Sequence, residues 1–192
     1  MKVSLGPKCA ALPLPAFLVG TYDGNGNPNV MTAAWGGILS SDPPAAGVSV
    51  RPTRLTFDGI SANKAFTVSV PSIPLVAETD YCGIVSGYQH NKFGESYLTP
   101  VPSTLVKAPY PDECPLVMEC RLHKTLELGS HVLFVGHILN VLAEETVLTD
   151  GEIDTLKTNP VVYGPDQGYF SLGEKVAKAF SVGKKLFRGR GE

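Results

Sequence analysis

Apolar residues in this chain fall in short runs separated by turn residues, and the first clear run is Phe17-Leu18-Val19-Gly20-Thr21-Tyr22. The dense turn signal Asp23-Gly24-Asn25-Gly26-Asn27-Pro28 follows it and predicts a β-hairpin returning into Asn29-Val30-Met31-Thr32-Ala33-Ala34-Trp35-Gly36-Gly37. Ser40-Ser41-Asp42-Pro43-Pro44 should break that second strand, because neither proline can donate to a ladder. A third strand is expected over 46–51, where alternation puts Val48 and Val50 on one face and Ser49 and Arg51 on the other. Residues 52–60 read as a short helix with Leu55 and Ile60 inward, weakened by Gly59. A fourth strand runs from Ala65 to Pro71, and apolar residues at 73, 76, 77, 81, 84 and 85 fit one helical face.

Residues 88–97 suit a loop or short helix. Further strands are expected at 104–108, 116–128 and 130–142. Thr149 to Asp154 has the oxygen-rich look of half a calcium loop, but it lacks the full spacing and the terminal Glu, so a turn with a helix cap is the better reading. Extended pieces at 161–163 and 169–172 precede an expected closing helix over 174–185, with Val176, Ala179 and Phe180 inward. With 20 glycines and 16 prolines in 192 residues, the pattern predicts a mainly β fold, a β-barrel with short helices, as a single domain over 1–192.

The net charge of −2 gives no general attraction to nucleic acid or anionic lipid, so neither partner is expected. The locally basic end, Lys184 to Arg190, reads as a solvated terminus. Prolines at 7, 13 and 15 interrupt any signal-peptide helix and no run of 18 apolar residues occurs, so a cytoplasmic protein with no membrane span is expected. Cys9, Cys82, Cys114 and Cys120 form no C-x-x-C pair and are expected to be reduced thiols. On a regular strand His131 and His137 would stand roughly 20 Å apart, too far to share a metal, so no metal site is expected.

Dinucleotide, P-loop and nucleophile-elbow signatures are missing, and no side chain is singled out as catalytic. What remains is dispersed. Around the only tryptophan, Ala33, Ala34, Gly36 and Gly37 keep side-chain bulk low, so a flat ring could lie against the main chain; a barrel corner with a buried Trp is the alternative. Arg51, Arg54 and Thr56 place two guanidinium groups and a hydroxyl at a helix start, where a phosphate would bind; exposed surface arginines are the alternative. Lys92 and His131 are, taken alone, a surface lysine and a packing histidine.

In order along the chain, Asn29-x-x-Thr32-x-x-Trp35-Gly36, Asp42-Pro43-Pro44, Val50-Arg51-x-x-Arg54-x-Thr56-x-x-x-Ile60 and Phe66-x-Val68-x-Val70-Pro71 resemble the flavin reductase-like, FMN-binding split-barrel family and, within it, flavoredoxins. The likeness continues through Asn91-Lys92-Phe93, Gly129-Ser130-His131, Asn159-Pro160-Val161-Val162-Tyr163 and Tyr169-x-x-Leu172-Gly173-Glu174, and covers roughly residues 13 to 185. It implies an FMN-binding split β-barrel homodimer, with non-covalent FMN (FAD left open) near the dimer interface. It also implies that Asn29, Thr32, Ala33, Ala34 and Trp35 lie near the flavin or its phosphate, as do Ser49, Val50, Arg51, Arg54, Thr56, Lys92 and His131, with Tyr163 covering the ring from an adjoining loop. Two roles follow from that resemblance: electron transfer with a redox protein partner, or reduction with NAD(P)H as donor. A non-catalytic split-barrel module holding flavin or haem is the alternative. Where the family commonly has Gly-Asp-His this chain has Gly129-Ser130-His131, and His137 stands where an acid is usual.

Overall fold

The computed structural model describes residues 1–186. After a two-residue strand β1 (Leu14–Pro15), β2 (Phe17–Tyr22) and β3 (Pro28–Ala33) form the expected hairpin. Its turn is closed by Asp23 Oδ1, which accepts from the Asn25 and Asn27 amides, each at 2.8 Å. The expected second strand is in fact two strands hinged at Ala34–Trp35, since β4 (Gly36–Ser41) belongs to a second hairpin with β5 (Pro44–Val50). Of the prolines read as a strand break, Pro43 sits in that hairpin's turn with Asp42, and Pro44 opens β5 opposite Ser41.

Helix α1 (Leu55–Asn63) leads into β6 (Ala65–Val70), and a 3-10 turn at Ile73–Leu75 opens α2 (Val76–Ile84). The four-residue helix α3 (Lys92–Glu95) precedes the short pair β7 (Pro100–Pro102) and β8 (Pro109–Pro111). Two long strands, β9 (Leu116–Leu128) and β10 (His131–Ala143), pair along most of their length. The pair β11 (Leu148–Thr149) and β12 (Glu152–Ile153) leads to α4 (Thr155–Thr158), whose start is capped by Asp154. Last come β13 (Val162–Tyr163) and β14 (Tyr169–Phe170), which form a small sheet with β1.

The main sheet has the order β3-β2-β6-β9-β10-β5-β4, all antiparallel. Its two edges, β3 and β4, are consecutive in the chain and joined by Ala34 and Trp35 alone. A flat seven-stranded sheet would hold its edges roughly 29 Å apart. The link from Ala33 to Gly36 reaches no more than about 11 Å. The sheet must therefore curl into a barrel whose seam lies at Trp35, and the Ser49 amide fixes that corner by donating to the Trp35 carbonyl at 2.8 Å. Register shifts at Val135/Gly136 and Ile138/Asn140 on β10, and at Ile38/Ser40 on β4, help the curl. Gly136 faces the interior, where a Cβ would stand 2.7 Å from Phe66 Cζ.

Alternating residues supply two cores. Val19, Met31, Met118, Val48, Phe66 and Phe134 fill the barrel, whereas Leu18, Val30 and Val117, one residue away on the same strands, pack outside it with Cys82, Phe93 and Leu98. Helix α1 runs past Gly59 and sends Ile60 into the barrel cluster. The glycine that weakens the helix in sequence is needed for packing: a Cβ there would meet Thr21 Oγ1 at 2.6 Å and Tyr22 O at 2.8 Å.

Three other expectations differ from the structure. No strand forms at 104–108; the Thr104 amide donates instead to the fully buried Glu119 carboxylate at 2.9 Å, which takes that backbone out of ladder pairing. On α2 the fully buried residues are Thr79 and Cys82, not the apolar series, and Ile84 is exposed. The closing helix over 174–185 is absent apart from a 3-10 stretch at Val182–Leu186, with Val176 and Phe180 fully exposed. A helix of that length is marginal unless one face is buried. The part of the basic end beyond Leu186 lies outside the described residues.

Gly59→Ala should destabilise the protein. Gaining helix propensity is worth about 1 kcal/mol, but overpacking against Thr21 and Tyr22 costs about 1–3 kcal/mol. Urea unfolding should show a lower midpoint at unchanged slope.

Candidate functional site

A cavity of about 440 Å³ opens along the barrel seam. One wall is Met31 to Trp35, the end of β3 and the corner itself, and Ser49, Val50 and Arg51 line it from β5. Arg54 enters from the start of α1, Asp80 and Gly83 from α2, and His131 from the start of β10. The loop and strands at the far end of the chain contribute Tyr163, Gln167 and Tyr169. Helix α2 is drawn onto the wall because Gly83 is bare: a Cβ there would come 3.3 Å from Thr32 Cβ. The Thr32 hydroxyl donates to the Thr79 carbonyl, tying β3 to the same helix.

The cavity's positive charge comes from Arg51 and Arg54, and Asp80 adds a carboxylate to its lining. Arg54 is also the N-cap of α1; no side chain caps that helix start and only the Phe57 amide is taken, by the Arg54 carbonyl at 2.9 Å, so the Leu55 and Thr56 amides and the helix dipole would favour an anion. His131 tilts against the Trp35 ring with centroids 4.6 Å apart. Its Nε2 accepts from Arg51 Nε at 3.4 Å, while Nδ1 lies 2.8 Å from Ser130 Oγ. Burial and the Arg51 charge both lower its pKa, so the imidazole is neutral near neutral pH. On the cavity's lining the Tyr169 hydroxyl donates to Asp80 Oδ1 at 2.9 Å.

Of the thirteen residues singled out in the sequence, the fold gathers ten around this cavity: the run Thr32 to Trp35, the run Ser49 to Arg51, and Arg54, His131 and Tyr163. Asn29, Thr56 and Lys92 do not line it. Asn29 Nδ2 donates to Thr56 Oγ1 at 3.0 Å and to Thr21 Oγ1 at 3.3 Å, so this pair is a buried tie between the β2–β3 hairpin and α1. Lys92 is 3% exposed and its Nζ donates to the Cys82 carbonyl at 2.8 Å. Asp80, Gln167 and Tyr169 were missed, because nothing in their local sequence announces which way a helix face or a two-residue strand points. His137 stacks on His123 at 4.3 Å on the β9–β10 ribbon, away from His131.

The model of the flavin reductase-like domain matches residues 9–171. The chain belongs to that family. Among solved structures it is 45% identical to the flavoredoxin of Desulfovibrio vulgaris (Miyazaki F), covering 95% of this chain and 100% of that one with a TM-score of 0.91. It is 34% identical to a flavoredoxin from Methanosarcina acetivorans, covering 97% and 99% with a TM-score of 0.92. An uncharacterised protein of Archaeoglobus fulgidus is 41% identical over 67% of this chain and 72% of its own length. The split barrel and the likeness to flavoredoxins read from the sequence are therefore established.

The residues present fit a flavin. The Ala33–Ala34 wall leaves backbone approachable, Trp35 offers a flat face, and the two guanidinium groups beside an uncapped helix start suit a phosphate. Among the described residues no group of three or more His, Cys, Asp or Glu could hold a metal ion. Cys114 and Cys120 are buried, and burial raises both thiols, Cys120 to about 12.

Lys92 gives a pH test of the site's surroundings. Burial, aided by the Arg54 charge, lowers its pKa from 10.5 to about 8. Between those two values the unfolded chain carries a proton that the native state lacks, so the contribution of Lys92 to stability rises with pH across that window. Thermal unfolding of the wild type and of Lys92→Met should show the wild type gaining on the variant from pH 8 to 10.5.

Proposed function

We propose that this protein holds FMN non-covalently in the seam cavity and acts as an electron carrier of the flavoredoxin kind. The observation that carries the reading is the meeting, in one cavity, of a wall poor in side chains at Ala33–Ala34, the Trp35 face and two arginines at an uncapped helix start. Its likeness to two proteins named flavoredoxin, over nearly the whole chain, supports it.

In this reading Arg51 and Arg54 neutralise the phosphate, Arg54 from the N-cap of α1 where the Leu55 and Thr56 amides add donors. A single phosphate dianion matches that donor set, which favours FMN over FAD. Main-chain groups of Thr32 to Ala34 and the Trp35 ring orient the ring system and keep water from one side of it. Neutral His131 leaves Arg51 as the positive charge at that end of the cavity. The bound flavin supplies the redox chemistry, while the protein sets orientation, potential and access. No side chain is required as an acid or nucleophile. The protein would work as a homodimer, with the exposed Ile38 and Leu39 of the edge strand β4, next to the Trp35 corner, as the apolar contact.

Titration with FMN, followed by flavin fluorescence, should show stoichiometric binding, and the extracted cofactor should have the mass of FMN. Protein that stays colourless and ignores added FMN would sink the proposal. Rapid bleaching by NADH or NADPH in stopped flow would make it a reductase instead of a carrier, and a monomer in light scattering would remove the dimer. Trp35 is 40% exposed, so Trp35→Ala should leave the unfolding midpoint nearly unchanged while weakening FMN binding by about tenfold, the loss expected of an aromatic stacking face.

A further inference from the structure

The cavity wall formed by β13, β14 and the turn between them is weakly attached. Its ladder consists of two residue pairs, Val162 with Phe170 and Tyr163 with Tyr169. On the other side β13 meets only the two residues of β1, and β14 is the free edge of that small sheet. The turn is held by its own bonds, Gly164 N to Gly168 O at 2.9 Å and Gln167 N to Gly164 O at 3.0 Å. Two-residue pairings do not hold a segment in water by themselves. Yet this segment places Tyr163, Gln167 and Tyr169 on the cavity.

The backbone bond from Val161 N to Pro71 O at 3.0 Å anchors its base, and among the described residues one long-range side-chain bond ties the hairpin itself to the main body: Tyr169 OH to Asp80 Oδ1 at 2.9 Å, joining β14 to α2 across 89 residues of chain. Both partners line the cavity, so the bond joins the hairpin to α2 where both meet its lining. The Tyr163 ring leans on Tyr169 with centroids 5.7 Å apart and planes at 57°, so it is positioned by the same tie. Burial and the Asp80 hydrogen bond both raise the Tyr169 pKa, so the phenol stays a donor throughout the neutral range.

We propose that the 162–170 hairpin is a strap over the flavin cavity and that the Tyr169–Asp80 hydrogen bond is its latch, controlling how fast bound flavin, and small molecules seeking its ring, pass in and out. Tyr169 and Asp80 are positioning residues. The inference rests on the flavin reading of the cavity. Its physical content is that a weakly paired segment opens locally without unfolding the barrel, and that one hydrogen bond to a charged acceptor accounts for most of what holds it closed.

The test uses the full-length, FMN-loaded protein and measures FMN dissociation by rapid dilution. Tyr169→Phe and Asp80→Ala should each speed release by about tenfold, the size of one hydrogen bond to a charged partner. The double variant should be no faster than either single one, since both remove the same bond. Asp80→Asn keeps a neutral acceptor oxygen for the tyrosine hydroxyl and should recover part of what Asp80→Ala loses. Release rates that match the wild type, or that multiply in the double variant, would overturn the latch. Hydrogen exchange of the cofactor-free protein reads the latch without flavin: amides of 163–170 should exchange about tenfold faster in Tyr169→Phe and Asp80→Ala while those of β9 and β10 hold. Equal exchange in all variants overturns the strap, whereas failure of the wild type to take FMN overturns the flavin reading alone.

Discussion

Everything about the site follows from a connection that is too short for a flat sheet. Strands β3 and β4 occupy opposite edges of a seven-stranded sheet, and two residues join them. Closing the sheet is the only arrangement that satisfies that link, and the closure leaves a seam where the edges meet without pairing to each other. Backbone at the seam is stripped of bulk at Ala33 and Ala34, and Trp35 stands at the turn. A corner that solves a problem of chain geometry is thus also the place where main-chain groups are left open to a ligand.

The electrostatics are arranged in depth behind that corner. Arg51 and Arg54 reach the cavity, while Lys92 lies behind them with its ammonium turned to the Cys82 carbonyl. Burial, with the Arg54 charge adding to it, lowers the Lys92 pKa to about 8, so Lys92 still carries its proton at neutral pH and gives it up more readily than a surface lysine. His131 is kept neutral by the same logic, with Arg51 pressing against it and a serine rather than an acid at Nδ1. The positive charge that lines the cavity is that of the two guanidinium groups, which stay ionised at any working pH.

The far wall is held differently. The barrel is fixed by long ladders and two packed cores, whereas β13 and β14 rest on a few backbone bonds and on Tyr169 reaching Asp80. A rigid floor and a lightly held cover give a site that keeps its geometry while remaining open to exchange.

Much of this was legible in the linear chain. Periodicity placed the β2–β3 hairpin, β5, β6 and the two long strands, because alternation and turn residues act locally. Ten of the thirteen candidate site residues meet at the cavity, because they sit at strand ends and at a helix start, which the local pattern marks. The failures are of another kind. The pattern could not show that the Asn29 stretch splits into two strands on opposite sheet edges, that Gly59 is required by Thr21, or that a buried Glu119 takes up the backbone at 104. Nor could it bring Asp80 to Tyr169, or turn Asn29, Thr56 and Lys92 inward. The sequence by itself determined the elements and the chemistry available, since propensity and alternation are properties of neighbours. Which groups share the cavity was decided only by the tertiary structure, because closing the barrel brings together residues that no local interaction connects.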